Sequence, residues 1–94
     1  MSKRTDAYAM NYITTATTTQ VKIGPGVLKR IVINKPVATG TIGIIDNITG
    51  TTVTDGLITS TTDLKPFYLD FDIRFSLGLR IVTTQAQDIT VVYE

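Results

Sequence analysis

The 94-residue sequence contains no cysteine, no histidine and no tryptophan. Without cysteine there is no disulfide, no thiolate nucleophile and no thiolate metal site, and nothing to indicate a redox compartment. Without histidine the commonest general base and the commonest metal ligand are both missing. Serine occurs only at Ser2, Ser60 and Ser76, with no lysine at a spacing that suggests nucleophilic chemistry. Gly24-Pro25-Gly26 is not followed by a helical pattern, so it is not a phosphate-cradling loop. These gaps point away from an enzyme, and no cofactor and no metal is expected. Charge is also scarce and balanced, with 9 basic against 8 acidic residues, which is too even for a nucleic-acid footprint. The basic pair Lys3-Arg4 reads as a solubilising tail. No apolar run reaches the ~20 residues of a membrane span. The basic start is not followed by an apolar stretch, so no signal peptide is expected. The expectation is cytoplasmic synthesis, with neither nucleic acid nor membrane as a partner.

What is present is threonine, isoleucine and valine, a β-rich composition. The clearest stretch runs from Leu64 to Glu94. Within it Phe67, Leu69, Phe71, Ile73 and Phe75 take every second position, and Tyr68, Asp70, Asp72 and Arg74 fill the gaps. Strand side chains alternate between faces, so this is one oily face and one polar face. All 3 phenylalanines of the chain lie on the oily one, which suggests the central strand of a sandwich. Leu79 and Ile81 continue the pattern after a turn at Ser76-Leu77-Gly78, and Ile89, Val91 and Tyr93 form a last inward face.

Upstream, Gln20 to Ile23 alternates, Tyr12-Ile13 is a candidate strand, and Gly24-Pro25-Gly26 breaks the chain. From Val27 to Asn34 the inward phase slips between Leu28 and the pair Ile31 and Ile33. A β-bulge around Lys29-Arg30 repairs that phase. Alternatively, Val27, Ile31 and Ile33 face in. Ile42 and Ile44 share one face, and Gly43 opposite them marks a close backbone approach. Asp46 to Gly50 and Asp55-Gly56 are turn signals, with short strands expected at Thr51–Thr54 and Leu57–Ser60. Seven or eight short strands at roughly 8–12-residue spacing indicate a single antiparallel β-sandwich of jelly-roll type. Residues 1–11 read as an extended N-terminal arm and 12–94 as the sandwich domain. The expected core is Leu28, Ile31, Ile33, Ile42, Ile44, Phe67, Leu69, Phe71, Ile73, Phe75, Leu79, Ile81, Ile89, Val91 and Tyr93.

Few residues remain for chemistry. Asp70 and Asp72 share a strand face, but Ca²⁺ wants six to eight oxygens and Arg74 would repel it. A polar strip with an Asp72–Arg74 pair is the simpler reading, and Asp46-Asn47 reads as a turn. Tyr8, Met10 and Tyr12 bracket the arm and are candidates for an interface, because tyrosine is enriched there. The outer residues Tyr68, Asp70, Asp72 and Arg74 are the other candidate contact surface. Few aromatics are available for a sugar-binding platform, with Tyr68 the candidate on the polar face.

Three segments carry a resemblance: Thr17 to Asn34 with its Gly-Pro-Gly-Val-Leu-Lys-Arg-Ile, Gly40 to Asn47, and Phe75-Ser-Leu-Gly-Leu-Arg-Ile-Val with the terminal Asp-Ile-Thr-Val-Val-Tyr-Glu. Together they resemble small β-sandwich virion structural proteins of tailed bacteriophages. The resemblance implies a capsid decoration or cement protein. Such a protein sits on the capsid surface as a homo-oligomer, with a trimer favoured, and has the major capsid protein or other virion proteins as partners. Another virion component (tail, fibre or head-completion module) and a non-catalytic carbohydrate-binding module are the alternatives.

Overall fold

The computed structural model describes residues 8–59 and 65–94. It holds eight strands: β1 (Ala9–Ile13), β2 (Thr18–Ile23), β3 (Gly26–Lys35), β4 (Thr41–Asp46), β5 (Gly56–Thr59), β6 (Phe67–Phe75), β7 (Gly78–Thr83) and β8 (Asp88–Tyr93). All pairings are antiparallel. β1 pairs with β8, β2 with β7, β3 with β6 and β4 with β5. The chain is therefore one long hairpin whose tip is the segment 47–55. Two further pairings, β3 with β8 and β4 with β7, roll it into two four-stranded sheets. The first sheet runs β1-β8-β3-β6 and the second β2-β7-β4-β5. This is the double-sheet order of a jelly roll, so the all-β sandwich read from the sequence is the fold. The N-terminal expectation shifts: the first strand starts at Ala9, inside the stretch read as an arm. The rest of that stretch, residues 1–7, lies outside the described residues.

The core is made by the inner faces of the two sheets. Leu28, Ile31 and Ile33 of β3, Leu79 and Ile81 of β7, and Ile89 and Val91 of β8 are fully buried. Ile42 and Ile44 of β4 join them, as do Ile13 and Val21, which the sequence pattern did not single out. Burying one such side chain contributes roughly 1.5–3 kcal/mol. The phase slip in β3 is a bulge, as its pattern suggested. Leu28 faces Tyr93 and Arg30 faces Val92, so Lys29 between them has no partner on β8. Towards β6, the same Lys29 faces Phe71 and Asp72.

Two expectations are corrected here. The stretch Phe67–Phe75 is not the central strand but an edge of the first sheet. Only Phe75 is fully buried; Phe67, Phe71 and Ile73 are half-buried and Leu69 is 37% exposed. An edge strand lacks one flanking neighbour, and β5, its counterpart at the edge of the second sheet, has only 4 residues to cover it. Tyr93 is likewise only partly buried against the core. The other correction concerns Thr51–Thr54, which forms no strand. It belongs to the segment 47–55, which folds back over the outer face of β4. The amides of Thr54 and Asp55 donate to the Ile44 carbonyl at 3.3 and 3.0 Å. A Cβ built on Gly43 would lie 2.9 Å from Val53 Cγ2, so the approach at Gly43 is close, but it is made by a side chain of this loop and not by the backbone that was expected. On the same outer face Ile45 is only 1% exposed, although alternation points it away from the core.

Candidate functional site

Two surfaces gather the polar and exposed apolar groups. One is the outer face of the first sheet. Register places its side chains in rows across all four strands. Met10, Val92, Arg30 and Asp70 form one row, and Tyr12, Thr90, Val32 and Tyr68 the next. The seven residues expected at an interface thus fall on one face. Tyr8, Met10 and Tyr12 come to it from one edge, and Tyr68, Asp70, Asp72 and Arg74 from the other. Met10 is 70% exposed and Tyr12 62%.

The charges on this face pair across strands. Lys29 Nζ lies 3.1 Å from Asp72 Oδ1, and Arg30 Nε donates to Asp70. The pair expected between Asp72 and Arg74 does not form. Residues i and i+2 of a strand stand nearly 7 Å apart, whereas cross-strand neighbours come within about 5 Å. Each cation also covers an aromatic ring: Lys29 lies 5.3 Å from the centroid of Tyr8, and Arg30 lies 4.5 Å from that of Tyr68. The hydrogen bond from Lys29 to Asp72 raises the ammonium's pKa, and the bond to Asp70 raises that of Arg30. Beside the Tyr8 ring is an open groove of about 520 Å³ lined by Tyr8, Lys29, Arg30, Asp70, Phe71, Asp72 and Val92. At the far side of the face Tyr12 donates to Asp88 at 2.6 Å, which raises the phenol's pKa. Asn34 also donates to Asp88 and to Thr90. No group of three or more His, Cys, Asp or Glu placed to hold a metal occurs among the described residues.

The other surface is the end of the sandwich where β2 turns into β3, β6 turns into β7, and the 47–55 loop leaves β4. Asp46 organises it. Its carboxylate accepts from the backbone amides of Ser76 (2.9 Å), Leu77 (2.8 Å) and Gly78 (3.3 Å). Those bonds, led by the one from Ser76, hold its pKa below the ordinary aspartate value. Gln20 Nε2 sits within 3.2 Å of the carbonyls of Lys22, Asn47 and Leu79. Arg80 donates to Gln20 Oε1 and to the carbonyls of Ile48 and Gly50. Gly78 lies at the centre: a Cβ there would stand 2.7 Å from the Lys22 carbonyl and 3.1 Å from that of Asn47. No side chain fits that space.

Three aliphatic side chains project from this locked backbone. Ile23 is 74% exposed, Leu77 56% and Ile48 49%. Each is the chain neighbour of a residue in the knot: Lys22, Gly78 and Asn47. The sequence carried a signal for them that the strand patterns hid. Each sits in or beside a turn, where Gly, Pro, Asn and Asp normally dominate. An aliphatic residue there fills no core.

Compared with family models, curated proteins and solved structures, the chain matches none of them.

Proposed function

We propose that this chain is a non-catalytic structural component of a phage virion, a decoration protein that docks on the outer surface of the head as a homo-oligomer. The observation that supports docking is the end bearing Ile23, Ile48 and Leu77. Exposed apolar groups in one place mark contact surfaces. Here they stand on backbone already fixed by Asp46, Gln20 and Arg80, so little ordering entropy is lost when they bind. The segments quoted for the phage resemblance also pass through this end, at Gly24-Pro25 and at Leu77-Gly78. In this reading the partner is a major capsid protein with an apolar recess, and the trimer follows from the resemblance.

The test is a binding assay of purified chain to purified expanded heads, with occupancy read by quantitative mass spectrometry. The double change Ile23→Asp with Leu77→Asp is expected to lower occupancy at least tenfold, equivalent to 1.4 kcal/mol or more, while circular dichroism stays native. Unchanged occupancy for a folded double variant would remove this end as the docking site. A few copies per particle, instead of hundreds, would favour a tail, fibre or head-completion role.

A further inference from the structure

We propose that the groove at the β3 bulge binds a neutral saccharide. This rests on the outer face of the first sheet and not on the virion reading, and it is tested without heads.

The groove brings together what a sugar requires. A hydroxyl group both donates and accepts, so a polyol is best met by acceptors and donors set side by side. The acceptors are the carboxylates of Asp70 and Asp72, and their side chains remain 60% and 81% exposed. The donors are the Lys29 ammonium and the Arg30 guanidinium. The floor at Val92 and the wall at Tyr8, 46% exposed, offer apolar surface to the C–H face of a pyranose ring. Tyr68 stands beyond Arg30, its ring held by the stacked guanidinium. A volume of about 520 Å³ is in the range of small-ligand sites.

The charge balance decides among ligand classes. Two cations and two carboxylates line the groove, and each cation is held against a carboxylate. An anion would face Asp70 and Asp72, and a cation would face Lys29 and Arg30. A neutral ligand meets neither repulsion. Stability gives little reason for the arrangement, because exposed ion pairs contribute little to it. The bulge makes the site. It removes Lys29 from the regular ladder with β8 and sets it opposite Phe71 and Asp72, and bulges commonly re-aim side chains in this way. Tyr8, Lys29 and Asp72 lie far apart in sequence, which is why the groove was not legible there.

The experiment is an amide NMR titration of the full chain with glucose, galactose, mannose, N-acetylglucosamine and their short oligomers, to about 50 mM. Saturable shifts are expected at Tyr8, Lys29, Arg30, Asp72 and Val92 for at least one of them, with a Kd of roughly 0.1–10 mM. Asp72→Asn and Tyr8→Ala should each weaken that binding about tenfold or more. Arg74→Ala, on the same face but outside the groove, should leave it unchanged. Asp72→Asn alters an exposed group, so it tests the site even if Tyr8→Ala does not fold. The proposal fails if no sugar produces saturable shifts, if the shifts map elsewhere, or if Asp72→Asn has no effect. It also fails if glucuronate or glucosamine binds more tightly than every neutral sugar.

Discussion

Asp46 and Asp72 both end up near the surface of the same jelly roll, yet they are used in opposite ways. Asp46 accepts from the amides of Ser76, Leu77 and Gly78, so its charge is invested in backbone. Asp72 meets the Lys29 ammonium, so its charge is spent on another side chain. The comparison extends to their surroundings. Around Asp46, Gln20 and Arg80 also bind main-chain carbonyls. Around Asp72, Lys29 and Arg30 bind carboxylates and cover rings. A polar group that holds backbone shapes the fold and has little left for a ligand. A polar group that holds only a side chain can exchange that partner for one. The corner end is therefore scaffold beneath an apolar tip, and the outer face is a surface open to ligands.

Changes at the two regions should separate them by size. The largest effect is expected within β6, which spans both. Phe75 lies next to the corner and is fully buried, so Phe75→Ala should destabilise by about 3–5 kcal/mol. Phe71 lies by the groove and is half-buried, so Phe71→Ala should cost about half as much, roughly 2 kcal/mol. Urea unfolding of both variants measures this, and equal losses would show that β6 is covered evenly along its length.

Next comes Asp46→Ala, expected to cost about 2–3 kcal/mol at pH 7, since hydrogen bonds to a charged acceptor are the stronger ones. Its pH dependence carries a definite sign. The folded pKa of Asp46 lies below the ordinary value of 3.8. Its contribution is therefore fully present above that value and lost as pH falls through the folded pKa. Wild type and Asp46→Asn should converge in stability as the solution is acidified below about pH 4. A gap that persists undiminished to pH 2 would mean that the charge is not what matters at this corner.

The smallest effects belong to the outer face. Lys29→Gln, Arg30→Gln and Asp70→Asn should each leave stability nearly unchanged, because exposed pairs are screened and entropically costly. Thermal melts at low and high salt check this. A loss of several kcal/mol in any of them would make the outer face scaffold as well, and the contrast with the corner would disappear.

Much of the fold was legible because alternation reports on faces. Ile31 with Ile33, Ile42 with Ile44, and Ile89 with Val91 were read as inward and are buried. The bulge was legible too, since a broken phase between Leu28 and Ile31 has few other remedies. Alternation does not report on neighbours. Phe67–Phe75 shows a perfect period of two whether it is central or an edge, and only pairing with distant strands decides which. The same limit hid the groove, whose walls come from Tyr8 just ahead of β1, Lys29 on β3 and Asp72 on β6. Ile45 was hidden for a related reason: it is buried on the outer face of β4, where the 47–55 segment folds back.

The rolled-hairpin order also has a consequence for how the molecule is assembled. β4 and β5 are joined by the short loop 47–55, which closes readily, whereas the β1–β8 pair must close nearly the whole chain. Loop-closure entropy grows slowly, by roughly 0.6 kcal/mol for each doubling of length. A hairpin that zips from its tip adds that penalty one strand pair at a time. Ile13 waits for Ile89, its register partner, and has no ladder to join until β8 has been made. Folding dominated by such distant pairings belongs to the millisecond-to-second class. During that interval the face that later carries Tyr8 and the groove does not exist, so ligand binding there reports on completion of the last strand pair.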